Sequence, residues 1–415
     1  MKILVLAPRP LWPVHDGGTV ASVRCISGLT ASGADVTVLS MITEKHQTYG
    51  MPAPGGKPDY VNDYITVPVG TAIRPLHLVL NLLFSRKPYD ILRFRSDEYS
   101  RKLHSLLTGN NFDIIHCEGL PFVLYLDEIR RFTKAPVVMR AHNVEHMIRA
   151  MMAVTESNPL RKYYLSVLSR RLRRTEIKAA RQFDALIPIS EPDAEWFNSV
   201  ARHKPVFLSE TGTDNAVLLP EPPPQNPKIG FIGAMNWQPN AEGIKWFISE
   251  VWPSVLEKFP SATLHIAGRG LRQDAKPKTR GRGLQHDAIL PSGINIFNDG
   301  EPDDALEFMA SNHVMIAPLF AGSGIRIKII EAMSIGRPVV ATPVAAAGLP
   351  VENGRELAIA SDPASFANAV TRLLEEPEPR ASTGRAALSM IKKRYDNSTI
   401  TAQLLEFYKN LAHGS

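Results

Sequence analysis

The sequence predicts an α/β protein made of two doubly wound parallel-sheet domains, and three observations lead there. Short apolar runs such as KILVLA (2–7) and KIGFIG (228–233) have the unbroken hydrophobicity of strands buried on both faces. Strand-like and helix-like segments alternate twice, once before and once after the proline-rich stretch PEPPPQNP at 220–227, the best linker candidate. Finally, 415 residues exceed what one hydrophobic core ordinarily organises.

In order, strand 2–7 runs into a loop from which Gly17-Gly18-Thr19 opens a helix to about residue 31. Strand 35–40 follows; the intervening loop lacks a full GxGxxG, so a dinucleotide reading is weak. Residues 50–58 read as a loop, 64–68 as a strand and 71–109 as helix in pieces, broken at Pro75 and Pro88. Strand 113–117 ends in His116-Cys117-Glu118-Gly119, and strand 136–140 ends in Ala141-His142-Asn143-Val144-Glu145-His146. Ligands of open α/β sheets bind beyond the carboxyl ends of strands, so both polar clusters are site candidates.

Residues 159–182 read as one long helix with eight basic residues, namely Arg161, Lys162, Arg170, Arg171, Arg173, Arg174, Lys178 and Arg181. It is either the solvated face of a core helix or a contact for an anionic membrane or lipid phosphate. Strands at 184–189 and 206–208 close this half, with Ser190 capping the helix between them.

In the second half, strand 228–233 leads through the loop 234–240 into a helix at 241–259. Strand 262–267 precedes Gly268-Arg269-Gly270, and 271–293 reads as a mobile basic loop. Strand 294–297, a turn at 298–300 and helix 303–311 come next, then strand 314–317. The small-residue loop 321–324 opens a helix at 325–335, which Gly336 ends and Pro338 turns into the strand at 339–340. A stretch at 363–375 and a last helix at 399–413 finish the chain; Leu404, Leu405, Phe407, Tyr408 and Leu411 would make that helix's buried face.

Composition narrows the function. Hydrophobic residues at 44% and charged residues at 21% describe a soluble globular chain. The most apolar stretch, 76–84, is too short to span a bilayer and is interrupted by His77 and Asn81. The N-terminus reads as a first strand rather than a signal peptide. Cys25 and Cys117 supply neither a disulfide framework nor a zinc site, which fits a reducing cytoplasm. A formal charge of +6 suits nucleotide diphosphates or the acidic inner face of a membrane. The aromatic-plus-basic modules that read nucleic acid are missing.

The segment 318–349 carries the sharpest chemical signal. A glycine loop at a helix start favours an anion, and Arg326 and Lys328 put positive charge where the helix dipole disfavours it, which points to phosphate. Gly-Ser-Gly-Ile-Arg-x-Lys-x-x-Glu-Ala-Met-x-x-Gly-x-Pro-Val-Val, from Gly322 to Val340, resembles the nucleotide-sugar motif of family-4 retaining glycosyltransferases, glycosyl transferase group 1.

That resemblance implies the GT-B fold: two Rossmann-like domains facing across a cleft, with the C-terminal helix crossing back. The domains would be 1–205 with 395–415, on the acceptor side, and 206–394, which would bind the nucleotide sugar. It implies a metal-independent hexosyltransferase without a cofactor, whose partners are a nucleotide-sugar donor and a glycan, lipid-linked or other hydroxyl acceptor. Glu331 would accept both ribose hydroxyls, and Gly324 and Ile325 would offer backbone donors to the diphosphate. Gly17 and Gly18 would lie over the donor phosphates, and the base would meet the turn Asp299-Gly300-Glu301.

Two departures from the family pattern stand out. The first glutamate of Glu-x7-Glu is Ser323 here, which alters the sugar contact. The loop after the second domain's first glycine, Ala234-Met235-Asn236-Trp237-Gln238, lacks the usual Arg and Lys. Arg326 and Lys328 are the candidates to replace that charge, with Arg269 behind them, and Asn236 counts among the donor-binding residues. Lys328 alternatively pairs with Glu331. His116-Cys117-Glu118 matches the family's His-x-His imperfectly; Glu118 would accept the acceptor's proton or orient its hydroxyl, and His116 is equally a satisfied buried imidazole. His142 is an alternative acceptor-side or sugar-side group.

His142 and His146 lie four apart with Glu145 between, but the carboxylate is misplaced for a zinc hydrolase and a third ligand is lacking. Asp303-Asp304 reads as a helix-start charge pair. The remaining alternatives on this scaffold are a nucleotide-sugar-binding protein without transfer activity and a nucleotide-sugar epimerase.

Overall fold

The computed structural model describes residues 1–14, 17–44, 58–214, 216–220, 226–270, 295–321 and 326–414. The expected loop 50–58 (apart from residue 58), most of the linker 220–227, the basic loop 271–293 and the site residues Ser323, Gly324 and Ile325 lie outside the described residues. The chain forms two compact units, one of Met1–Gly212 with Asn397–Ser415 and one of Thr213–Asp396.

In the first unit, β1 (Lys2–Ala7) is followed by α1 (Gly17–Ala31), β2 (Asp35–Ile42), β3 (Asp63–Pro68), α2 (Pro75–Phe84) and α3 (Asp97–Gly109). Then come β4 (Ile114–Glu118), α4 (Leu126–Phe132), β5 (Val137–Ala141), α5 (Glu145–Thr155), α6 (Pro159–Gln182), β6 (Ala185–Pro188) and α7 (Glu191–Val200). The six strands are parallel in the order β3-β2-β1-β4-β5-β6, so the order reverses between β1 and β4. Alternation along each strand divides the core. Leu4, Leu6, Ile115, Cys117, Val137 and Met139 pack on one face, and Ile3, Val5, Ala7, Ile114 and Val138 on the other.

The second unit repeats this plan. It contains β7 (Lys228–Ile232), α8 (Gln238–Trp246), α9 (Trp252–Lys258), β8 (Thr263–Ala267), β9 (Ile296–Gly300) and α10 (Ala305–Ala310). These precede β10 (Val314–Ala317), α11 (Ile327–Ser334), β11 (Val339–Ala341), β12 (Ala358–Ile359), α12 (Pro363–Glu375) and α13 (Pro377–Arg394). The strand order β12-β11-β10-β7-β8-β9 is the same winding, with its reversal between β7 and β10. Gly243 of α8 lies against the loop leaving β10; a Cβ there would sit 1.9 Å from the Pro318 carbonyl oxygen.

The last helix, α14 (Asn397–His413), belongs to the first unit. Its Leu404, Leu405 and Tyr408 are buried with Ile26 and Leu29 of α1, while Phe407 and Leu411 are partly buried. Gly28 allows this approach, since a Cβ on it would fall 2.5 Å from the Thr401 side chain.

Several expected boundaries move. The units divide after Gly212 and after Asp396, not at 205 and 394. Ser209 still bonds the Pro188 carbonyl, and Arg24 donates to the Gly212 carbonyl at 3.1 Å, so the chain stays on the first unit through Gly212. Residues 206–208 form no strand beyond a single bridge from Val206 to Leu186. The expected turn at 298–300 is part of β9. The expected helix 241–259 starts at Gln238, because Pro239 fits a first helical turn, and one π turn (Phe247–Val251) interrupts it. Arg326 stands just before α11 rather than within it.

Helix α13 was not expected. Its buried stripe is Arg380, Thr383, Gly384, Ala387, Leu388 and Ile391, helical in spacing but largely polar or small in composition. Arg380 is buried because it donates to the Leu373 and Leu374 carbonyls at 3.0 and 3.2 Å, closing the end of α12.

Candidate active site

The first unit gathers its polar groups at the carboxyl ends of β4 and β5, beside the start of α1. His116 and Glu118 share one face of β4, two residues apart, and Arg140 comes from the adjacent β5, where Glu118 pairs with it in register. Glu118 is 2% exposed and accepts on both oxygens. Oε1 takes the His116 Nε2–H at 2.8 Å; Oε2 takes the Ser22 hydroxyl at 2.8 Å and His142 Nε2–H at 2.5 Å. Arg140 Nη1 lies 3.6 Å from Oε2. Ser22 is also 3.2 Å from the Gly18 carbonyl, so α1 carries the glycine pair and a direct tie to Glu118.

His116 is fully buried, with Nδ1 2.7 Å from the Tyr408 hydroxyl of α14. Both ring nitrogens are engaged, an arrangement that matches the satisfied buried imidazole the sequence left open and that holds Glu118 in position. Burial alone would raise the Glu118 carboxyl, but the Arg140 guanidinium and the two imidazoles outweigh it and hold it well below the usual range. A carboxylate so stabilised stays charged and accepts hydrogen bonds on both oxygens.

His142 is the exposed member, with a side chain 20% accessible. A carboxylate can only accept, so Nε2 carries the proton toward Glu118, and the buried Nδ1 has no hydrogen-bond partner among the described residues. Burial lowers the His142 pKa despite the opposing charge of Glu118, leaving Nδ1 with a lone pair at neutral pH. Carboxylate, oriented imidazole and unpartnered nitrogen form an arrangement able to take a proton from a hydroxyl.

His146 points elsewhere. Its Nδ1 is 2.6 Å from Glu176 of α6, which also accepts the Glu145 and His146 backbone N–H groups and so caps α5. Among the described residues, no group of three His, Cys, Asp or Glu side chains is placed to hold a metal ion. Asp304 caps α10 through the Leu306 and Glu307 N–H groups.

In the second unit the loops after β7, β8 and β9 are stitched together. Met235 N–H donates to the Arg269 carbonyl at 2.7 Å, and Gly268 N–H to the Gly300 carbonyl at 2.6 Å. Arg269 also reaches Glu301 at 3.1 Å, which places it at the Asp299-Gly300-Glu301 segment. Asn236 is exposed, its backbone against Gly270. Arg326 lies 5.6 Å over the neighbouring Trp237 ring, and burial brings its pKa down to about 10, still charged at neutral pH.

Glu331 is 5% exposed on α11, with its Oε2 3.0 Å from Lys328 Nζ one turn earlier. Lys328 is thus engaged with Glu331, the alternative the sequence left open. Expected Gly17, Gly18, Glu118, His116 and His142 come together in one unit, as do Asn236, Arg269, Gly300 and Arg326 in the other, where Lys328 and Glu331 pair on α11. Sequence reading missed Ser22, Arg140, Tyr408 and Trp237 as site residues. Arg140 left a signal, since it is the one charge in the otherwise apolar run PVVMRA. Ser22 lies one helical turn after Gly18, a weaker hint.

Comparison with known proteins matches both halves of the chain. The family model for glycosyl transferases group 1 matches residues 226–376, and that for glycosyltransferase family 4 matches 16–214. An uncharacterised 44.6 kDa protein of the Klebsiella pneumoniae cps region is 21% identical, over 98% of this chain and 99% of its own length. The phosphatidyl-myo-inositol mannosyltransferase of Mycobacterium leprae is 30% identical over 39% of this chain and 41% of its own. Anabaena HepE, solved in complex with UDP-glucose, superposes with a TM-score of 0.66 at 16% identity, covering 99% of this chain and 100% of that one. With both units wound alike and the two family models meeting them in turn, the chain belongs to the group 1, family 4 glycosyltransferases of the GT-B type.

Proposed function

We propose that this glycosyltransferase moves a hexosyl residue, with retention of anomeric configuration and without a metal or other cofactor, from a nucleoside-diphosphate sugar to a hydroxyl acceptor, lipid-linked or glycan. The observation that carries the reading is Glu331, a buried carboxylate in the middle of α11 with two oxygens suited to a ribose diol. Lys328 holds it in place.

The second unit serves the donor. As the bond from the sugar's C1 to the diphosphate oxygen breaks, negative charge grows on the leaving group, and Arg326 and Arg269 supply compensating charge. The loops carrying Asn236 and Gly300 receive the base and sugar. Ser323, Gly324 and Ile325 keep the roles their motif positions imply, with Ser323 standing where relatives carry a glutamate. The first unit serves the acceptor. His142 Nδ1 receives the hydroxyl proton as the acceptor oxygen bonds C1, while Glu118 fixes the ring and stabilises the charge it gains. A lipid-linked acceptor draws support from the phosphatidyl-myo-inositol named for the Mycobacterium leprae relative.

Incubating the protein with UDP-glucose and other nucleoside-diphosphate hexoses and following the anomeric proton by NMR tests the reading. Transfer or hydrolysis giving the donor's own anomer supports it. An inverted product, or turnover that vanishes with a chelator, overturns the retaining, metal-free form.

A further inference from the structure

Helix α2 buries none of its residues. Leu76, Val79, Leu80, Leu83 and Phe84 are all exposed, Phe84 at 81%, and Ile73 just before the helix is exposed as well. This exposure is not a sign of a loosely held segment. Arg171 of α6 grips α2 from behind, donating to the Asn81 and Leu82 carbonyls and to the Asn81 side chain at 2.7–3.1 Å. Arg74 N–H is bonded to the Tyr89 hydroxyl, and the Asn81 amide to the Lys87 carbonyl. Polar bonds fix the helix on its inner side, and its outer side presents apolar groups to solvent at a cost that folding of this unit does not offset.

The charged residues that flank this helix in sequence have one sign. Residues 64–89 contain no Asp or Glu, and Arg74, Arg86 and Lys87 border the helix, all exposed. Behind it, seven of the eight basic residues of α6 are exposed, whereas its one acid, Glu176, is turned inward to cap α5. The first turn of α6 itself exposes Leu160 and Tyr163 beside Arg161 and Lys162. We infer that α2 is a membrane-contact helix, lying in the interface of an anionic bilayer with its apolar side chains among the acyl chains and the neighbouring basic groups on lipid phosphates.

Ten residues make a helix about 15 Å long, which suits lying in the interface and cannot span the bilayer. An apolar face with a basic border is the pattern that binds anionic membranes. A second copy of the chain is the weaker occupant, because a two-fold contact through this face would set Arg74, Arg86 and Lys87 against their own images. The inference stands apart from the transfer chemistry and from the identity of the acceptor.

The test is co-sedimentation of the full chain with phosphatidylcholine vesicles, with and without about a third phosphatidylglycerol. The wild type should bind the anionic vesicles, and its bound fraction should fall ~10-fold without the anionic lipid or at high salt. Leu76→Ser/Leu83→Ser/Phe84→Ser together should reduce binding to the anionic vesicles by ~10-fold or more, with unchanged melting temperature and nucleotide binding. Arg86→Ser/Lys87→Ser should weaken it to a smaller extent. Wild-type binding by the triple variant, or no vesicle binding by the wild type, overturns the inference. So does a wild-type dimer that the triple variant splits into monomers without any change on vesicles.

Discussion

Glu118 and His142 meet at 2.5 Å across the solvent boundary of the first unit, the carboxylate 2% exposed and the imidazole 20%. Everything behind that contact is buried: His116, Arg140 and Tyr408 surround the carboxylate and are shielded from water. The acid is therefore fixed and charged, and the imidazole it orients has the most exposed side chain of the cluster, although its Nδ1 is buried.

Neutralising Glu118 should destabilise the protein. Glu118→Gln leaves the Arg140 guanidinium, 1% exposed, without its counter-charge, a loss of ~3–5 kcal/mol by analogy with broken buried pairs. Because the folded carboxyl lies well below its ordinary value, its contribution is present above about pH 4.5 and is lost as the pH falls toward the folded value. Urea unfolding from pH 7 down to pH 3 should show a steeper acid loss in the wild type than in Glu118→Gln. The double variant Glu118→Gln/Arg140→Met should recover part of the stability at pH 7.

In the proposed role, His142 should set the acid limb of turnover. Burial lowers its pKa below the ordinary histidine value of 6.5, so the proton-accepting form persists into mildly acidic solution. The profile of kcat/KM against pH should stay level through 6.5 and fall only below it. His142→Ala should lower kcat by ~10²–10⁴ and remove that limb while leaving donor affinity intact.

Glu145 gives the opposite pH signature. Burial pushes its carboxyl up to about 7; Arg149 opposes the shift, and Glu176, Asp90 and Asp193 add to it. A raised carboxyl favours folding fully below about pH 4.5, and that contribution disappears as the pH rises through about 7. Glu145→Gln should match the wild type near pH 5 and exceed it in urea midpoint at pH 8.

How much of this the sequence disclosed follows from the physics of each element. Apolar runs such as KILVLA read as buried strands, and α6 appeared at its full observed length. Helix α13 stayed hidden because the residues of its buried stripe are mostly polar or small. In the site, residues at strand ends were visible because the topology puts ligands there, as with Glu118 and His142. Ser22 and Tyr408 were not. One reaches Glu118 from 96 positions away and the other reaches His116 from 292, distances that no local spacing encodes. The apolar helix α2 was legible in composition, but only its burial pattern shows that it packs so little.

The proposed contact of Glu331 with the ribose of a nucleoside-diphosphate donor is tested by calorimetric titration of UDP, GDP and TDP into the wild type and Glu331→Ala. The wild type should bind at least one of them, and the variant should bind it ~10–100-fold more weakly, consistent with two lost bonds to a charged acceptor, at an unchanged melting temperature. Equal affinity in the two proteins, or no binding by the wild type, would contradict it.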